Sequence, residues 1–434
     1  MVPPILEYLG ALTLKAMPDA ELELIDANVH EPQPENIQAD LVGISSITAT
    51  ITWSYNFSDE LRKLGKKVVL GGIHPTALPE EAKQHADAVV VGEAESVWHE
   101  ILKDALRGSL KTFYYGERLP LDDMPVPLTC FTNGDYKFRA VFTARGCPYR
   151  CSFCSVRKFF GDTLRYRPIE RVVEEVEKCT ERIYFNGDDN IWGGDLNRSI
   201  ELFTSLSQIT KKWWYGFGDL RAPQSPLGDK LLESARKSGL FSVWAGWETS
   251  SGKGLKMYHA AAKQGENREE AVKKIKKYGI DVTLFVVLGG RSDTASDFDN
   301  VIGLAKRLGV VIHPVLLTPL PGTELYEEYK PYILKDKGWE CYTGANAVFE
   351  HPTMSPEEIE ERFYRTSLEL LSTKRILMHL FEIPLRGFPT THVLSLMKQI
   401  PMKRAMEKAY EKWKKDRRKI DSKVKSLNNE ILAP

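Results

Sequence analysis

The sequence predicts an α/β protein in three parts. These are a doubly wound parallel sheet over residues 1–120, a partial barrel of six β/α units over 138–345, and a helical region over 346–434. Three observations predict it. A chain of 434 residues is too long for one ordinary core. Two successive series of short β-branched or aromatic runs alternate with helical stretches, the pattern of parallel sheets wound with helices. After about residue 350 the strand signals fade. The composition, 42% hydrophobic and 27% charged with zero formal net charge, is that of a globular protein without global attraction to nucleic acid. No run of eighteen apolar residues exists to span a membrane. The start, MVPPILEYLG, lacks the charged opening and cleavage site of a secretory signal. Six cysteines in so long a chain do not make a disulfide framework, so a reducing, cytoplasmic setting is expected.

In the first part, ELELIDANVH (21–30), ADLVGISSIT (39–48), KKVVLGGIHP (66–75) and ADAVVVGEAE (86–95) each read as a strand followed by a polar or glycine loop. TWSYNFSDELRKLG (52–65) reads as a helix between them. Ligands of such sheets sit beyond the carboxyl ends of the strands. Those ends carry Ser45, Ser46, Thr48, Gly71, Gly72, His74, Gly92 and Glu93. RLPLDDMPVPLTC (118–130), with its several prolines, reads as linker, placed at 121–137.

The second series opens with AVFTARG (140–146), which runs straight into a cysteine loop. RIYFNGDDN (182–190), WWYGFGDLR (213–221), FSVWAGWE (241–248), VTLFVVLGG (282–290) and VVIHPVLLTPL (310–320) are its further strands. RPIERVVEEVEKC (167–179) and EEAVKKIKKYG (269–279) are helices between them. Six such units fit a partial barrel with its chemistry at the carboxyl strand ends. In the third part SPEEIEERFYRTSLELLS (355–372) has a Ser cap, an acidic first turn and helical apolar spacing.

Cys147, Cys151 and Cys154 stand in a C-x₃-C-x₂-C spacing, RGCPYRCSFC (145–154). Thiolates suit soft metals and iron–sulfur clusters. Three ligands from one tight loop hold three irons of a cubane and leave the fourth open. Zinc is the structural alternative, but it wants four ligands, and neither a second C-x₂-C nor a histidine pair follows. Cys130, Cys179 and Cys341 are scattered and read as buried apolar thiols.

This loop resembles the radical S-adenosylmethionine (SAM) superfamily, whose hallmark is this spacing with an aromatic residue before the last cysteine. The resemblance implies a [4Fe–4S] cluster on the three cysteines, SAM on its open iron, and homolytic cleavage of SAM to a 5′-deoxyadenosyl radical. The protein supplies cofactor placement and exclusion of water. By the same resemblance Phe153 lies near the SAM adenine, and Asp188, Asp189 and Asn190 in the turn NGDDN hold its amine, although with one glycine where the family usually has two. Glu248 matches the residue that touches the ribose. Arg221 is a candidate for the carboxylate and Gly289 for backbone approach to the adenine. The alternatives are helix caps for Asp188, Asp189 and Glu248, a surface ion pair for Arg221 and a plain turn at Gly289.

The N-terminal part, through VGISSITAT (42–50), VVLGGIHPTALPEEA (68–82) and ADAVVVGEAESVW (86–98), resembles the cobalamin-dependent branch of that superfamily. With GCPYRCSFCSV (146–156) and LTPLPGTELYE (317–327) the resemblance covers roughly residues 1–372. It implies a Rossmann-like cobalamin-binding domain on a TIM-like radical SAM barrel, with the Ser/Thr and Gly-Gly loops around the nucleotide tail. Two departures stand out. No D-x-H-x-x-G motif is present, His30 in DANVHEPQ lacking the following glycine, so cobalt is expected to have no protein histidine. The first strand of such domains would lie before VPPILEYLG. His74 is expected as a hydrogen-bond partner rather than a ligand.

The expected activity is therefore methylation of an unactivated carbon in a small-molecule or lipid substrate, in an anaerobic setting. One SAM methylates cobalamin, a second yields the radical, and the substrate radical takes the methyl from cobalt. An electron donor of flavodoxin or ferredoxin type is implied. A radical SAM enzyme that forms carbon–carbon bonds or rings without methyl transfer is the alternative within the class. A non-catalytic cobalamin or cluster module is the alternative outside it. Residues 373–420 mix Leu377, Met378, Leu380, Phe381, Leu394, Leu396 and Met397 with a basic run. They read either as peripheral contact with an anionic membrane or as a helical cap on the barrel.

Overall fold

A computed structural model of the protein describes residues 3–128, 136, 138–209, 212–249, 258–260, 267–382 and 389–431. Four strands form a wholly parallel N-terminal sheet in sequential order: β1 (Leu41–Ser45), β2 (Lys67–Gly71), β3 (Ala88–Gly92) and β4 (Phe113–Gly116). Strand alternation sends Leu70 and Val89 to one face, where Ile51 and Tyr55 of the helix Ile51–Lys63 cover them. Val69, Val90 and Tyr114 go to the other, beneath Ile101 of the helix Trp98–Leu106. Leu70, Val89 and Ile101 are fully buried, each such side chain contributing about 1.5–3 kcal/mol. Helices therefore flank both faces, as two-sided winding requires.

Two elements differ from expectation. Residues 21–30 form no strand, because no neighbouring strand offers that backbone a ladder; Leu22 is exposed and Leu24 packs against Gly10 of the helix Pro4–Ala16. Phe113–Gly116, to which the sequence reading assigns nothing, instead pairs with β3 in register Val89↔Phe113.

The barrel sheet is also all parallel. Its strands are β5 (Arg139–Val141), β8 (Ile183–Asn186), β9 (Trp213–Phe217), β10 (Leu240–Glu248), β11 (Asp281–Leu288) and β12 (Val311–Leu316). Its order β12-β11-β10-β9-β8-β5 leaves β5 and β12 as edges, so the barrel is open on one side. The expected single strand 140–146 is broken: β5 ends at Val141, and β6 (Ala144–Arg145) turns away to pair antiparallel with β7 (Arg165–Tyr166). The break lets Asp188 reach the backbone N–H groups of Thr143 and Ala144, at 2.6 and 2.9 Å.

Ser355 caps the helix Pro356–Leu370 by accepting from the Glu358 N–H at 3.2 Å. The helices Thr373–Glu382 and Pro389–Ile431 follow. The last one crosses the amino end of the barrel, where the Lys398 ammonium donates to Ser242, Asp281 and Thr283 at 2.9, 3.1 and 2.7 Å. Residues 383–388, including Pro384, lie outside the described residues. Among the described residues no helix is long and apolar enough to cross a membrane.

Candidate functional site

The cysteine loop follows β6, and its path is held from four sides. Asp188, buried at the end of β8, accepts from the backbone of Thr143 and Ala144 and from the Thr143 hydroxyl. Asp189 accepts from the N–H of Gly146, the residue before Cys147. Asp219, beyond β9, accepts from the Tyr149 hydroxyl inside the loop. The Ser152 N–H donates to the Tyr258 carbonyl at 3.0 Å, and the Ser152 carbonyl accepts from Leu325 at 3.0 Å. Gly146 has φ +98°, and a Cβ there would stand 2.5 Å from the Thr163 carbonyl, so only glycine permits this entry.

Burial sets the charges. It pushes the Asp188 carboxyl up to about 6. For Asp189 burial and then the Asp188 charge push it up to about 7. Burial also raises Asp219 and the Tyr149 phenol, whose hydrogen bond joins them.

Phe153 lies edge-on to Tyr258, ring centroids 5.8 Å apart. Asn190 is buried and donates to Asp219 at 2.8 Å, which ties the β8 turn to the β9 turn. Arg221 is exposed, its backbone N–H donating to Asp219 at 2.8 Å. Glu248 is buried at the end of β10 with φ +64°, after a register irregularity between Gly246 and Glu248. A non-glycine residue there stores about 1–3 kcal/mol of strain. Gly289 follows β11, and it is the adjacent Gly290 whose Cβ would strike the Tyr258 hydroxyl, at 2.2 Å. The helix after β8, Leu196–Leu206, is capped by Asp195, so the cap alternative for Asp188 and Asp189 is not realised there.

At the carboxyl ends of β1–β3 the picture differs. Ser45 is exposed. Ser46 is buried and bonds Thr50 and Ser54, at 2.8 and 3.0 Å. Thr48 meets Nδ1 of His74 at 3.2 Å, and Nε2 of His74 meets Glu81 at 3.2 Å. His74 is fully buried with both ring nitrogens engaged, which leaves neither for a metal. Gly71 ends β2 without crowding, whereas Gly72 has φ +104° and its Cβ would lie 2.5 Å from the Ser46 carbonyl. Gly92 donates to Thr76 at 3.0 Å. Glu93 is buried in an ion cluster with Arg145 and Arg165, each at 3.0 Å, and so bolts this sheet to the barrel.

Sequence reasoning missed Asp219, Tyr149, Arg145 and Arg165. Asp219 stands two residues before the quoted Arg221, but its partners come from the β8 turn and the cysteine loop. Of the other thiols, Cys179 is buried but Cys341 is only half-buried, against expectation, because it lies in the open turn Trp339–Cys341; Cys130 lies outside the described residues.

The donor sets fit their groups. Cys147, Cys151 and Cys154 are half-buried and not paired as disulfides. Three thiols from one tight loop suit a cluster with one open iron, whereas a structural zinc site wants four ligands. The β1–β3 loops offer small residues, hydroxyls and backbone, a fit for a ligand held through close backbone approach.

Comparison with known proteins agrees. Residues 2–102 match the model of the B12 binding domain and residues 141–305 that of the radical SAM superfamily. The chain is 28% identical to bacteriochlorophyllide d C-8(2)-methyltransferase of Chlorobaculum tepidum, over 97% of each chain. It is 27% identical to bacteriochlorophyllide d C-12(1)-methyltransferase of the same organism, over 84% of this chain and 82% of that one. Among solved structures it superposes on the radical SAM methyltransferase TsrM of Kitasatospora setae, with a TM-score of 0.68 at 14% identity, covering 94% and 97% of the two chains. With both domains matched and both donor sets in place, the chain belongs to the cobalamin-binding-domain-containing radical SAM enzymes, and a [4Fe–4S] cluster, SAM and cobalamin are its cofactors.

Proposed function

We propose that this enzyme transfers a methyl group to an unactivated carbon. The observation that carries the reading is the end-to-end match, through both domains, to a relative named as a methyltransferase. When bound, the cluster supplies the electron that cleaves SAM to a carbon radical, and cobalamin carries the methyl group.

The chain's own residues position and shield. Cys147, Cys151 and Cys154 hold the cluster. Asp188, Asp189 and Asp219 hold the loop that presents them, supported by their bonds to Thr143, Ala144, Gly146 and Tyr149. Asp189 and Asn190 belong to the SAM site with Phe153, Glu248 and Gly289, and Arg221 stands at its rim. Ser45, Ser46, Thr48, Gly71, Gly72 and Gly92 form the cobalamin side, His74 and Glu93 supporting it from within. The boundaries 1–120, 121–137, 138–345 and 346–434 follow the same division of labour.

In the C-terminal helices Leu377, Met378, Phe381, Val393, Met397 and Ile400 are exposed, Phe381 at 90%, ahead of the basic run from Lys403. This supports peripheral contact with an anionic bilayer inside the cytoplasm. A flavodoxin- or ferredoxin-type donor supplies the electron.

The test is anaerobic reconstitution with iron, sulfide, cobalamin, SAM and reductant. S-adenosylhomocysteine and 5′-deoxyadenosine should both form. 5′-Deoxyadenosine without S-adenosylhomocysteine would refute methyl transfer and favour the ring- or bond-forming alternative.

A further inference from the structure

The inner wall of the barrel is aromatic. Strand alternation turns Phe185 of β8, Tyr215 and Phe217 of β9, Trp244 of β10, Phe285 of β11 and His313 of β12 to the interior. Neighbouring rings stand in one continuous band: Phe185–Tyr215 at 5.2 Å, Tyr215–Trp244 at 4.9 Å, Phe217–Trp244 at 5.4 Å, Trp244–Phe285 at 5.6 Å and Phe285–His313 at 5.0 Å.

Two observations set this band apart from barrel filling. First, every ring in it is partly exposed, whereas its neighbours on the same strands, Tyr184, Trp214, Val243, Ala245, Leu284, Val286 and Ile312, are buried under the helices. A close-packed interior would leave the two faces alike. Second, its polar tips find no hydrogen-bond partner among the described residues. The Trp244 indole N–H is buried and has no hydrogen-bond partner among the described residues. Among the described residues the Tyr215 and His313 side chains make ring contacts but no hydrogen bond. Burial alone raises the Tyr215 phenol to about 12 and lowers His313, so both are neutral. Lys398 and Asp281 close the amino end, which leaves the cysteine-loop end and the open side between β5 and β12 for entry.

We infer that the barrel interior binds a planar, conjugated ring system bearing hydrogen-bond-accepting heteroatoms, stacked on Phe217, Trp244 and Phe285 with Tyr215, Trp244 and His313 meeting its acceptors. A saturated chain or saturated polycycle fills the space but leaves these three groups unpaired in a dry site, which is costly. A flat π-surface matches the face and edge contacts that the rings offer. The inference rests on the reading that this interior receives the substrate, and it narrows "small-molecule or lipid" to one chemistry.

The test titrates the anaerobically reconstituted protein with acridine and protoporphyrin IX as planar probes and dodecanol as the saturated one, following probe fluorescence or displacement. At least one planar probe should bind, at least tenfold more tightly than dodecanol. Its affinity should fall about tenfold in Phe217→Leu and Phe285→Leu, and several-fold in Trp244→Phe, which keeps the ring and removes the N–H. Melting curves establish that each variant is folded. Binding of neither planar probe, or equal affinity in wild type and all three variants, overturns the inference. Formation of S-adenosylhomocysteine by the same wild-type preparation tells the two readings apart. If it forms while no planar probe binds, the substrate class fails and methyl transfer stands; if it does not form while the probes behave as expected, the reverse holds.

Discussion

The two sheets offer their carboxyl ends in opposite ways. At the N-terminal sheet the polar side chains are already spent on the protein: His74 on Thr48 and Glu81, Ser46 on Thr50 and Ser54, Glu93 on two arginines. What faces outward there is backbone, glycine, Ser45 and the apolar Ile47. At the barrel the acids hold a loop that presents three thiols, and the interior keeps unpaired aromatic N–H and O–H groups. One sheet recognises its cofactor through closeness of approach, the other through side-chain chemistry. Substitutions should therefore fail differently in the two regions.

The largest effect is expected in the barrel. Cys151→Ala removes one of three cluster ligands, and iron content and 5′-deoxyadenosine formation should fall to background. Retention of a full cluster would break the contrast at its strongest point. Next comes the joint between the sheets. Glu93→Gln removes the carboxylate that Arg165 pairs with and one of the two on Arg145, which keeps Glu95, and should cost about 2–3 kcal/mol in a denaturant titration. A loss below about 1 kcal/mol, ordinary for a surface ion pair, would show that the joint is solvated.

On the N-terminal side, Gly72→Ala places a Cβ against the Ser46 carbonyl in a backbone region that essentially only glycine occupies, at about 1–3 kcal/mol. Cobalamin affinity should drop while iron content stays at the wild-type level, and equal loss of both would erase the distinction between the regions. The smallest effect is a slope. Burial raises the Asp293 carboxyl from its ordinary 3.8 to about 6. The folded state then binds more protons than the unfolded one, so this group's contribution is present below about 4 and lost as pH rises through 6. Asp293→Asn should flatten stability against pH in that window, and an unchanged slope would count against the burial.

Much of this was legible in the sequence, because it is local. The C-x₃-C-x₂-C loop, the period-two strands β8 to β12 and the Ser355 cap each depend on neighbours in the chain. What was hidden depends on distant partners. The turn NGDDN was readable as functional, but not that Asp188 would grip Thr143 and Ala144, 44 residues and more upstream. Glu93 was readable as a strand-end acid, yet its arginines follow 52 and 72 residues later. Residues 21–30 have strand alternation but no ladder partner, and Phe113–Gly116 has a partner but too short a pattern. The aromatic band was visible in outline as Tyr215 and Phe217 at alternate positions. Its continuation through Trp244 and Phe285 needs the parallel register of four strands.

The central claim is that both cofactor sides serve one reaction. Its most direct test is the ratio of products from reconstituted enzyme given SAM, cobalamin, reductant and a turned-over substrate. One S-adenosylhomocysteine and one 5′-deoxyadenosine should form for each methylated product. 5′-Deoxyadenosine formed with product but without S-adenosylhomocysteine would contradict it.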